Sequence, residues 1–316
     1  MKILFSMPAA EETADWLQSL ARALPGAQIR TWLPGDTAEA DYAVVWRPSR
    51  EVFAQRAGLK AVFNLGAGVD ALLALEREAP GTLPSGVPIV RLEDTGMAAQ
   101  MAEYATYAVL RYMRRFDEYE FAQRTPDPRW RVLEPHARET FTVGVLGLGV
   151  LGTHVARALA ALGLPVRGYS RGKKHLHGIE TFAGPREFDA FLDGTQVLVN
   201  LLPSTPETDG ILNRSTFAKL AHGAYLVNLA RGAHLVEDDL LDALTTGRIA
   251  AATLDVFAKE PLPPDHRFWR EPRVTITPHI SAITLREQAI VQIAQKIEAL
   301  ERGEPIGGIV DLIRGY

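Results

Sequence analysis

The stretch TFTVGVLGLGVLGTHVARALAALG, residues 140–163, decides the fold of this chain. An apolar run long enough for one buried strand leads into a Gly-x-Gly-x-x-Gly turn, and a helical pattern follows. In such a unit the first glycine permits a tight turn, the second lets the backbone approach a pyrophosphate, and the third lets the helix pack close to the strand. The helix N-terminus adds unpaired N–H groups and a positive dipole end. The stretch predicts a dinucleotide-binding turn formed by Gly147, Gly149, Val150, Leu151 and Gly152.

A basic segment, YSRGKK at residues 169–174, follows this turn. Dinucleotide units that bind NADH usually carry an acidic residue about 20 residues past the glycines, where it holds a ribose 2′-hydroxyl. Here the place is taken by Ser170, Arg171, Lys173 and Lys174. These side chains can hydrogen-bond and neutralise a 2′-phosphate, which an acid would repel. The segment therefore predicts NADP(H) as the cofactor, and a solvated basic turn is the alternative.

The composition is that of an ordinary globular protein with two domains. The chain has 316 residues, of which 47% are hydrophobic and 23% charged, and its net charge of −4 gives no basic surface for nucleic acid. It contains no cysteine, which excludes thiol catalysis and disulfides. The apolar run Ile3 to Met7 is too short for a secretory signal and indicates a first buried strand. The longest uncharged stretch, Thr140 to Ala156, fits a buried strand that turns into a helix better than a membrane span. We expect a soluble, cytoplasmic protein.

Short apolar runs alternate with helical patterns along the chain, which predicts an α/β protein with parallel sheets covered by helices. The expected architecture is two Rossmann-like domains, one flavodoxin-like and one dinucleotide-binding, with a cleft between them. Residues 1–98 with 283–316 would form a discontinuous substrate-binding domain, and residues 99–282 the NADP-binding domain. Two helices connect them, one over residues 97–115 and one that begins near Thr284, where Thr284 and Glu287 have the spacing of a capping box.

Three later segments, VNLARGAHLVEDDLL, DVFAKEPLPP and VTITPHISA, each follow a predicted strand. The carboxyl ends of parallel strands line one crevice, so Arg231, Glu260 and His279 can converge there. An arginine provides a planar fork for a carboxylate, a histidine can donate a proton near neutral pH, and a neighbouring carboxylate favours the charged imidazolium. The alternatives are a helix-capping turn at Arg231 and an ordinary loop carboxylate at Glu260.

Of the eight histidines, only His279 directly follows a strand and a proline at the predicted crevice. The others, His234 among them, lie in loop or helix patterns or beside the basic segment. No His-Glu-x-x-His or similar spacing is present, so we expect no metal site.

The motifs NLARG, LDVFAKEPLPP and TITPH, in this order after GLGVLG, resemble those of the D-isomer-specific 2-hydroxyacid dehydrogenase family over essentially the whole chain. The resemblance implies an NADPH-dependent reductase of small 2-keto acids such as glyoxylate and hydroxypyruvate. It implies that Arg231 binds the substrate carboxylate, that His279 donates the proton, and that Glu260 pairs with His279. It also implies a homodimer with the 97–115 helix and the following segment at or near the interface.

The same resemblance implies the remaining site residues. The backbone N–H groups of Ala67 and Gly68 in the loop NLGAGVD would complete the carboxylate site. Asp255 would contact the nicotinamide carboxamide, and Leu229 and Ala230 would border the ring. After a first-domain strand, Trp46 would face the substrate and select small acids, or would simply pack under a loop.

Two other functions remain open from the sequence. One is a reductase of a larger 2-keto acid, because the shape of a side-chain pocket cannot be read from these motifs. The other is a non-catalytic dinucleotide sensor that binds a partner. The presence of arginine, glutamate and histidine together argues against the sensor.

Overall fold

A computed structural model describes residues 1–8, 10–125, 130–312, 314 and 315. In chain order the strands are β1 (Lys2–Ser6), β2 (Gln28–Thr31), β3 (Tyr42–Val45), β4 (Ala61–Asn64), β5 (Ile89–Val90), β6 (Val143–Leu146), β7 (Val166–Ser170), β8 (Glu180–Ala183), β9 (Val197–Asn200), β10 (Ala224–Asn228), β11 (Ile249–Leu254) and β12 (Val274–Ile276). The α-helices are α1 (Ala10–Ala23), α2 (Asp70–Glu78), α3 (Met97–Met113), α4 (Phe116–Arg124), α5 (Val150–Ala161), α6 (Phe188–Leu192), α7 (Arg214–Lys219), α8 (Glu237–Thr245) and α9 (Arg286–Glu301).

The chain divides into two compact units. Unit 1 comprises Met1–Gly96 and Thr284–Tyr316, and unit 2 comprises Met97–Ile283. The expected boundaries were 98/99 and 282/283. Helix α3 begins at Met97, so the first boundary falls just before this helix rather than inside its first turn.

Unit 1 contains a five-stranded parallel sheet with the order β2-β1-β3-β4-β5. This is the order 2-1-3-4-5 of flavodoxin-like sheets, and the sequence predicted a domain of this kind. Strands β3 and β4 are buried over their whole length, because a parallel sheet is covered on both faces. The chain returns to this unit through α9, whose Ile290, Ile293 and Ile297 are buried.

Unit 2 contains a seven-stranded parallel sheet with the order β12-β11-β10-β9-β6-β7-β8. From β8 to β11 this is the dinucleotide-binding order 3-2-1-4-5-6, with β12 added at one edge. The strand order reverses between β6 and β9, which is the switch point where α/β sheets bind ligands. The structure thus confirms the predicted pair of Rossmann-like parallel sheets.

Successive side chains of the central strands of unit 2 point to opposite faces of the sheet, so each face has its own hydrophobic core. Val197 and Val199 of β9 lie in a core with residues of α3 and α5. Leu198, between them, lies in the opposite core with residues of α6, α7 and α8. Residues of both cores are almost without solvent exposure, so the sheet that carries the site is held rigidly from both sides.

Three expectations about secondary structure were wrong in detail. Strand β8 was not predicted, because it lies at the sheet edge and its residues are half-buried or exposed, so it has no continuous apolar run. Helix α3 ends at Met113 rather than Arg115, since Arg115 adopts a left-handed φ of 58°. The capping box at Thr284 does not form, because α9 begins at Arg286.

The two side chains expected to form that box have other partners. The hydroxyl of Thr284 donates to the carbonyl of Leu65, and Glu287 accepts from the Ser19 hydroxyl at 2.7 Å. In the ranges that the structure describes, no helix is both long and apolar enough to cross a membrane.

Candidate active site

The glycine turn after β6 has the conformation that its sequence predicts. Gly147 has φ 109°, a left-handed value that disfavours any side chain. A Cβ on Gly152 would lie 1.8 Å from the carbonyl oxygen of Gly147, so only glycine allows α5 to pack this closely. A Cβ on Gly149 would meet nothing within 4 Å. Gly149 therefore presents bare backbone to open space, as an approaching phosphate group requires.

Helix α5 begins directly after Gly149, and its first helical hydrogen bond runs from the N–H of Thr153 to the carbonyl of Gly149. Within the described part of the chain, no hydrogen bond occupies the N–H groups of Val150 and Leu151. Such first-turn N–H groups, with the positive end of the helix dipole, favour an anion. These residues fit the pyrophosphate of a dinucleotide.

Strand β7 brings the basic segment next to the glycine turn. The N–H groups of Gly147 and Leu148 both donate to the carbonyl of Tyr169, at 2.9 and 3.1 Å. Ser170 then ends β7, and its hydroxyl donates to the carbonyl of Gly172 at 2.8 Å. The first residue of the basic segment is therefore hydrogen-bonded directly to the glycine turn, as the sequence predicted.

Each lysine of the segment has a partner. The ammonium group of Lys174 donates to the carbonyl of Leu148, between the first two glycines of the turn. That of Lys173 donates to the carbonyl of Thr181 at 2.7 Å and lies 3.3 Å from a carboxylate oxygen of Glu187. The backbone N–H of Ala183 and then Lys173 lower the pKa of Glu187.

The charge of Arg171 acts on the carboxyl group of Glu207. The pKa of the Glu207 carboxyl is lowered by a hydrogen bond from its own backbone, by the hydroxyl of Thr205 and by the charge of Arg171. The basic cluster is thus close to the glycine turn, and it is partly balanced by Glu187 and Glu207.

Glu260 and His279 form the pair that the sequence predicted. Nδ1 of His279 lies 2.9 Å from Oε2 of Glu260. The other carboxylate oxygen, Oε1, accepts the backbone N–H of Phe257 at 3.0 Å. Both oxygens of Glu260 are therefore engaged, so the carboxylate is fixed and holds the imidazole through Nδ1. The ring nitrogen Nε2 is the one left for a substrate.

His279 lies in a strained turn, because its φ of 57° is left-handed. This conformation costs about 1–2 kcal/mol for a residue with a side chain. The N–H of His279 donates to the carbonyl of Asp255 at 2.8 Å, and the N–H groups of Ile280 and Ser281 donate to the Asp255 carboxylate, each at 2.8 Å. The hydroxyl of Thr277 donates to the same carboxylate at 2.6 Å. Asp255 therefore holds the turn on both sides of His279.

The buried carboxylate of Asp255 thus already has three donors from the 277–281 segment. Its contact with a nicotinamide carboxamide stays a prediction. One further residue supports the turn, since the hydroxyls of Tyr104 and Thr277 lie 2.5 Å apart. Burial raises the pKa of Tyr104 to about 12, so this hydroxyl keeps its proton at physiological pH.

Arg231 follows β10 and precedes a short 3₁₀-helix, Gly232–His234. Its guanidinium Nη1 donates to the carbonyl of Ala230 at 2.6 Å. A Cβ on Gly232 would lie 1.8 Å from the carbonyl carbon of Phe257. The turn that carries Arg231 is therefore packed against the backbone of the segment that leads to Glu260.

Arg231, Glu260 and His279 follow β10, β11 and β12, which lie side by side in the sheet. The structure thus brings all three to the carboxyl edge of three neighbouring strands, with Glu260 and His279 in direct contact. Leu229 and Ala230, also predicted, are buried between β10 and Arg231.

The predicted substrate loop of unit 1 is held by Asn64, whose side-chain amide donates to the carbonyls of Gly66 and Gly68 at 2.9 and 2.8 Å. Among the described residues, no hydrogen bond occupies the N–H of Ala67 or Gly68. The ring of Trp46 packs on this loop, since a Cβ on Gly66 would lie 2.5 Å from its Cζ3 atom. Trp46 therefore packs against the loop while its side chain stays only half-buried.

Sequence reasoning missed three buried polar residues behind Arg231: Asn200, Asn228 and His234. A signal was present, because β9 and β10 both end in the letters LVN, which place an asparagine at the end of a buried strand. His234 carried no signal of its own, since its partners lie far away in the sequence.

Comparison with known proteins provides independent evidence about the family of this chain. Residues 106–281 match the family described as D-isomer specific 2-hydroxyacid dehydrogenase, NAD binding domain. A relative from Serratia proteamaculans, named glyoxylate/hydroxypyruvate reductase A, is 60% identical over 316 residues and covers 100% of both chains.

Two solved structures are also similar over the whole chain. One is a D-isomer specific 2-hydroxyacid dehydrogenase from Xanthobacter autotrophicus Py2 in complex with NADPH and MES, with a TM-score of 0.92, 41% identity and coverage of 100% and 99%. The other is an NADPH-dependent glyoxylate/hydroxypyruvate reductase from Sinorhizobium meliloti in complex with NADP and sulfate, with a TM-score of 0.91, 37% identity and the same coverage.

The two parallel sheets, the glycine turn and the Arg231, Glu260 and His279 group together define a dinucleotide-dependent oxidoreductase. The sequence identity of 60% to the Serratia proteamaculans relative, over the full length of both chains, makes the assignment more specific. The chain belongs to the D-isomer specific 2-hydroxyacid dehydrogenase family.

Proposed function

We propose that this protein is an NADPH-dependent reductase that converts glyoxylate to glycolate and hydroxypyruvate to D-glycerate. The observation that carries the proposal is the contact between His279 and Glu260, next to the turn of Arg231 at the carboxyl edge of unit 2. The 60% identical relative bears the name of this activity, and the similar structure from Sinorhizobium meliloti contains NADP.

The proposed chemistry assigns one task to each of these side chains. The guanidinium of Arg231 binds the substrate carboxylate and orients the keto group. The imidazolium of His279 donates a proton from Nε2 to the keto oxygen, where negative charge develops. Glu260 stabilises the imidazolium through Nδ1 and fixes the ring, because its second oxygen is held by the N–H of Phe257. The bound cofactor supplies the hydride.

Unit 2 would hold the cofactor, and a loop of unit 1 would contribute to substrate binding. The bare backbone at Gly149 and the N–H groups of Val150 and Leu151 fit the pyrophosphate. Ser170, Arg171, Lys173 and Lys174 would bind the 2′-phosphate, and Leu229, Ala230 and Asp255 would lie at the nicotinamide. In unit 1, the unoccupied N–H groups of Ala67 and Gly68 would bind a carboxylate oxygen, and Trp46 would limit the size of the substrate.

The proposal includes a homodimer. Several large apolar side chains of α3, α4 and the segment after them are exposed, among them Tyr107, Phe116, Phe121, Trp130 and Val132. Exposed apolar surface of this extent supports association with a second copy. It also includes a cytoplasmic location, where NADPH is available. Light scattering coupled to size exclusion would test the dimer, and a monomer at micromolar concentration would contradict it.

The proposal is tested by kcat/KM for NADPH and NADH with glyoxylate, hydroxypyruvate and 2-keto acids with larger side chains. We expect turnover with both small acids and a strong preference for NADPH. Arg231→Ala should raise KM and lower kcat, because the carboxylate loses its partner, while the Kd of NADPH stays unchanged. Preference for a larger acid would shift the substrate assignment. The absence of turnover with any acid would instead support a dinucleotide sensor.

A further inference from the structure

A buried polar network lies behind the turn that carries Arg231. Asn200 ends β9 and Asn228 ends β10, and the two residues are direct neighbours in the parallel pairing. His234 ends the short 3₁₀-helix that follows Arg231. All three side chains have no solvent exposure, so each polar atom needs a partner within the protein.

The neighbouring backbone fixes the orientation of both asparagine amides. The N–H of Leu202 donates to Oδ1 of Asn200 at 3.2 Å, and the N–H of Ala230 donates to Oδ1 of Asn228 at 3.3 Å. The Asn200 amide nitrogen then donates to Oδ1 of Asn228 at 3.0 Å and to Nδ1 of His234 at 2.9 Å. Both of its hydrogens are used, so the direction of every hydrogen bond is determined.

This arrangement determines the protonation of His234. Because Nδ1 accepts from Asn200, the ring proton lies on Nε2, which donates to the carbonyl of Pro203 at 3.2 Å. The imidazole is therefore neutral with its proton on Nε2. A second proton on Nδ1 would face the amide hydrogens of Asn200 and break the network.

The network ends on the backbone of Arg231. Nδ2 of Asn228 donates to the carbonyl of Arg231 at 3.0 Å, and the backbone N–H of His234 donates to the same oxygen at 3.3 Å. We propose that His234 is a positioning residue for Arg231: through Asn200 and Asn228 it fixes this carbonyl and so the direction in which the guanidinium leaves the turn. The inference rests on the proposed function, in which Arg231 binds the substrate carboxylate.

The surroundings allow little compensation if the network is disturbed. On one side, the segment that contains Pro203 begins at Leu201, whose carbonyl carbon would lie 2.8 Å from a Cβ on Gly147. On the other side, Gly232 is packed against the backbone of Phe257. A shift of His234 is therefore transmitted to Arg231 rather than absorbed, since well-packed groups do not relax freely.

Two substitutions separate positioning from simple packing. In His234→Asn the side-chain oxygen takes the place of Nδ1, so the bond from Asn200 is kept and the bond to Pro203 is lost. In His234→Gln the amide nitrogen takes the place of Nε2, so the bond to Pro203 is kept and the bond from Asn200 is lost. Each variant removes one side-chain hydrogen bond, and only the second disconnects the side chain at position 234 from the two asparagines that lead to Arg231.

We expect His234→Gln to raise KM for glyoxylate about tenfold, the factor that corresponds to about 1.4 kcal/mol, with a smaller change in kcat. His234→Asn should leave KM within about twofold of the wild-type value, because the bond from Asn200 is kept. Both variants should bind NADPH within about twofold, because the network ends on the carbonyl of Arg231 and not on the glycine turn. An equal effect of the two variants on KM, or no effect of His234→Gln, would overturn the proposal.

A second measurement needs no activity. In nitrogen-15 NMR of histidine-labelled protein at pH 7, the ring signals that disappear in His234→Asn identify His234 among the eight histidines. In the wild-type protein these signals should be those of a neutral ring with the proton on Nε2, and that proton should exchange slowly with solvent. A His234 ring that is charged or protonated on Nδ1 would refute the network. Turnover by the wild-type protein tests the proposed function, whereas the two variants and the ring protonation test this inference, so the two can fail separately.

Discussion

Alanine substitution of two glycines in the turn should separate cofactor binding from stability. A Cβ on Gly149 meets open space, and its φ of −71° suits any residue. A Cβ on Gly152 would lie 1.8 Å from the carbonyl oxygen of Gly147, which is part of the backbone and cannot rotate away. Gly149→Ala should therefore fold normally and fail to bind the pyrophosphate, whereas Gly152→Ala should fold poorly.

The magnitudes follow from two opposing terms at Gly149. Alanine restricts the unfolded chain, which stabilises by about 0.4–1 kcal/mol. Gly149 also precedes the first turn of α5, where alanine is a poorer residue than glycine by a few tenths of a kcal/mol or more. The free energy of unfolding should thus change by less than about 1 kcal/mol. For Gly152→Ala, overpacking against backbone should cost about 3 kcal/mol or more.

The assay is paired: thermal or urea unfolding of the protein without cofactor, and fluorescence titration with NADPH. For Gly149→Ala we expect an unchanged unfolding transition and a Kd raised at least about 30-fold, or about 2 kcal/mol. Native affinity in Gly149→Ala would refute the assignment of this face to the pyrophosphate. Native stability in Gly152→Ala would refute the close packing of α5 on the turn.

Three further outcomes are expected. Ser170→Asp should lower the ratio of kcat/KM for NADPH to that for NADH by about 100-fold, or about 2.7 kcal/mol, because a carboxylate repels the 2′-phosphate; an unchanged ratio would contradict the 2′-phosphate site. His279→Asn should lower kcat by about 10²–10⁴ in steady-state assays, and near-normal turnover would remove His279 as the proton donor. Burial, and then the charge of Arg115, lower the pKa of His136, so the unfolded chain takes up its proton first as pH falls below about 6.5. Urea unfolding at pH 7 and pH 5.5 should therefore show a smaller acid-induced loss of stability in His136→Gln than in the wild type, and equal losses would contradict this.

The fold could be predicted from the sequence because buried parallel strands appear as continuous apolar runs. Such runs located β6, β9 and β10, and the glycine spacing located the dinucleotide turn. Strand β8 could not be found in this way, since an exposed edge strand needs no apolar run. The start of α9 was placed too early because Thr284 hydrogen-bonds Leu65 instead of capping the helix, and that partner is distant in the sequence.

The site was predictable only where one residue type is tied to one chemical task. Arg231, Glu260 and His279 stand out because each follows a strand and each supplies a group that reduction of a keto acid needs. Contacts between segments that are distant in the sequence are different. The pairing of Lys174 with the carbonyl of Leu148, or of His234 with Asn200, depends on how distant segments meet. No local pattern records such contacts.

The conformation of the turn at His279 indicates that a histidine is present at this position for its chemistry and not for local stability. Glycine or asparagine would adopt φ 57° more easily, and either would relieve the strain. Neither could pair with Glu260 as an imidazolium that donates a proton from its other nitrogen. Four hydrogen bonds with Asp255 hold the strained turn in place. Such concentrated support around an unfavourable conformation is typical of functional sites, and His279→Asn should accordingly unfold no more easily than the wild type while it loses turnover.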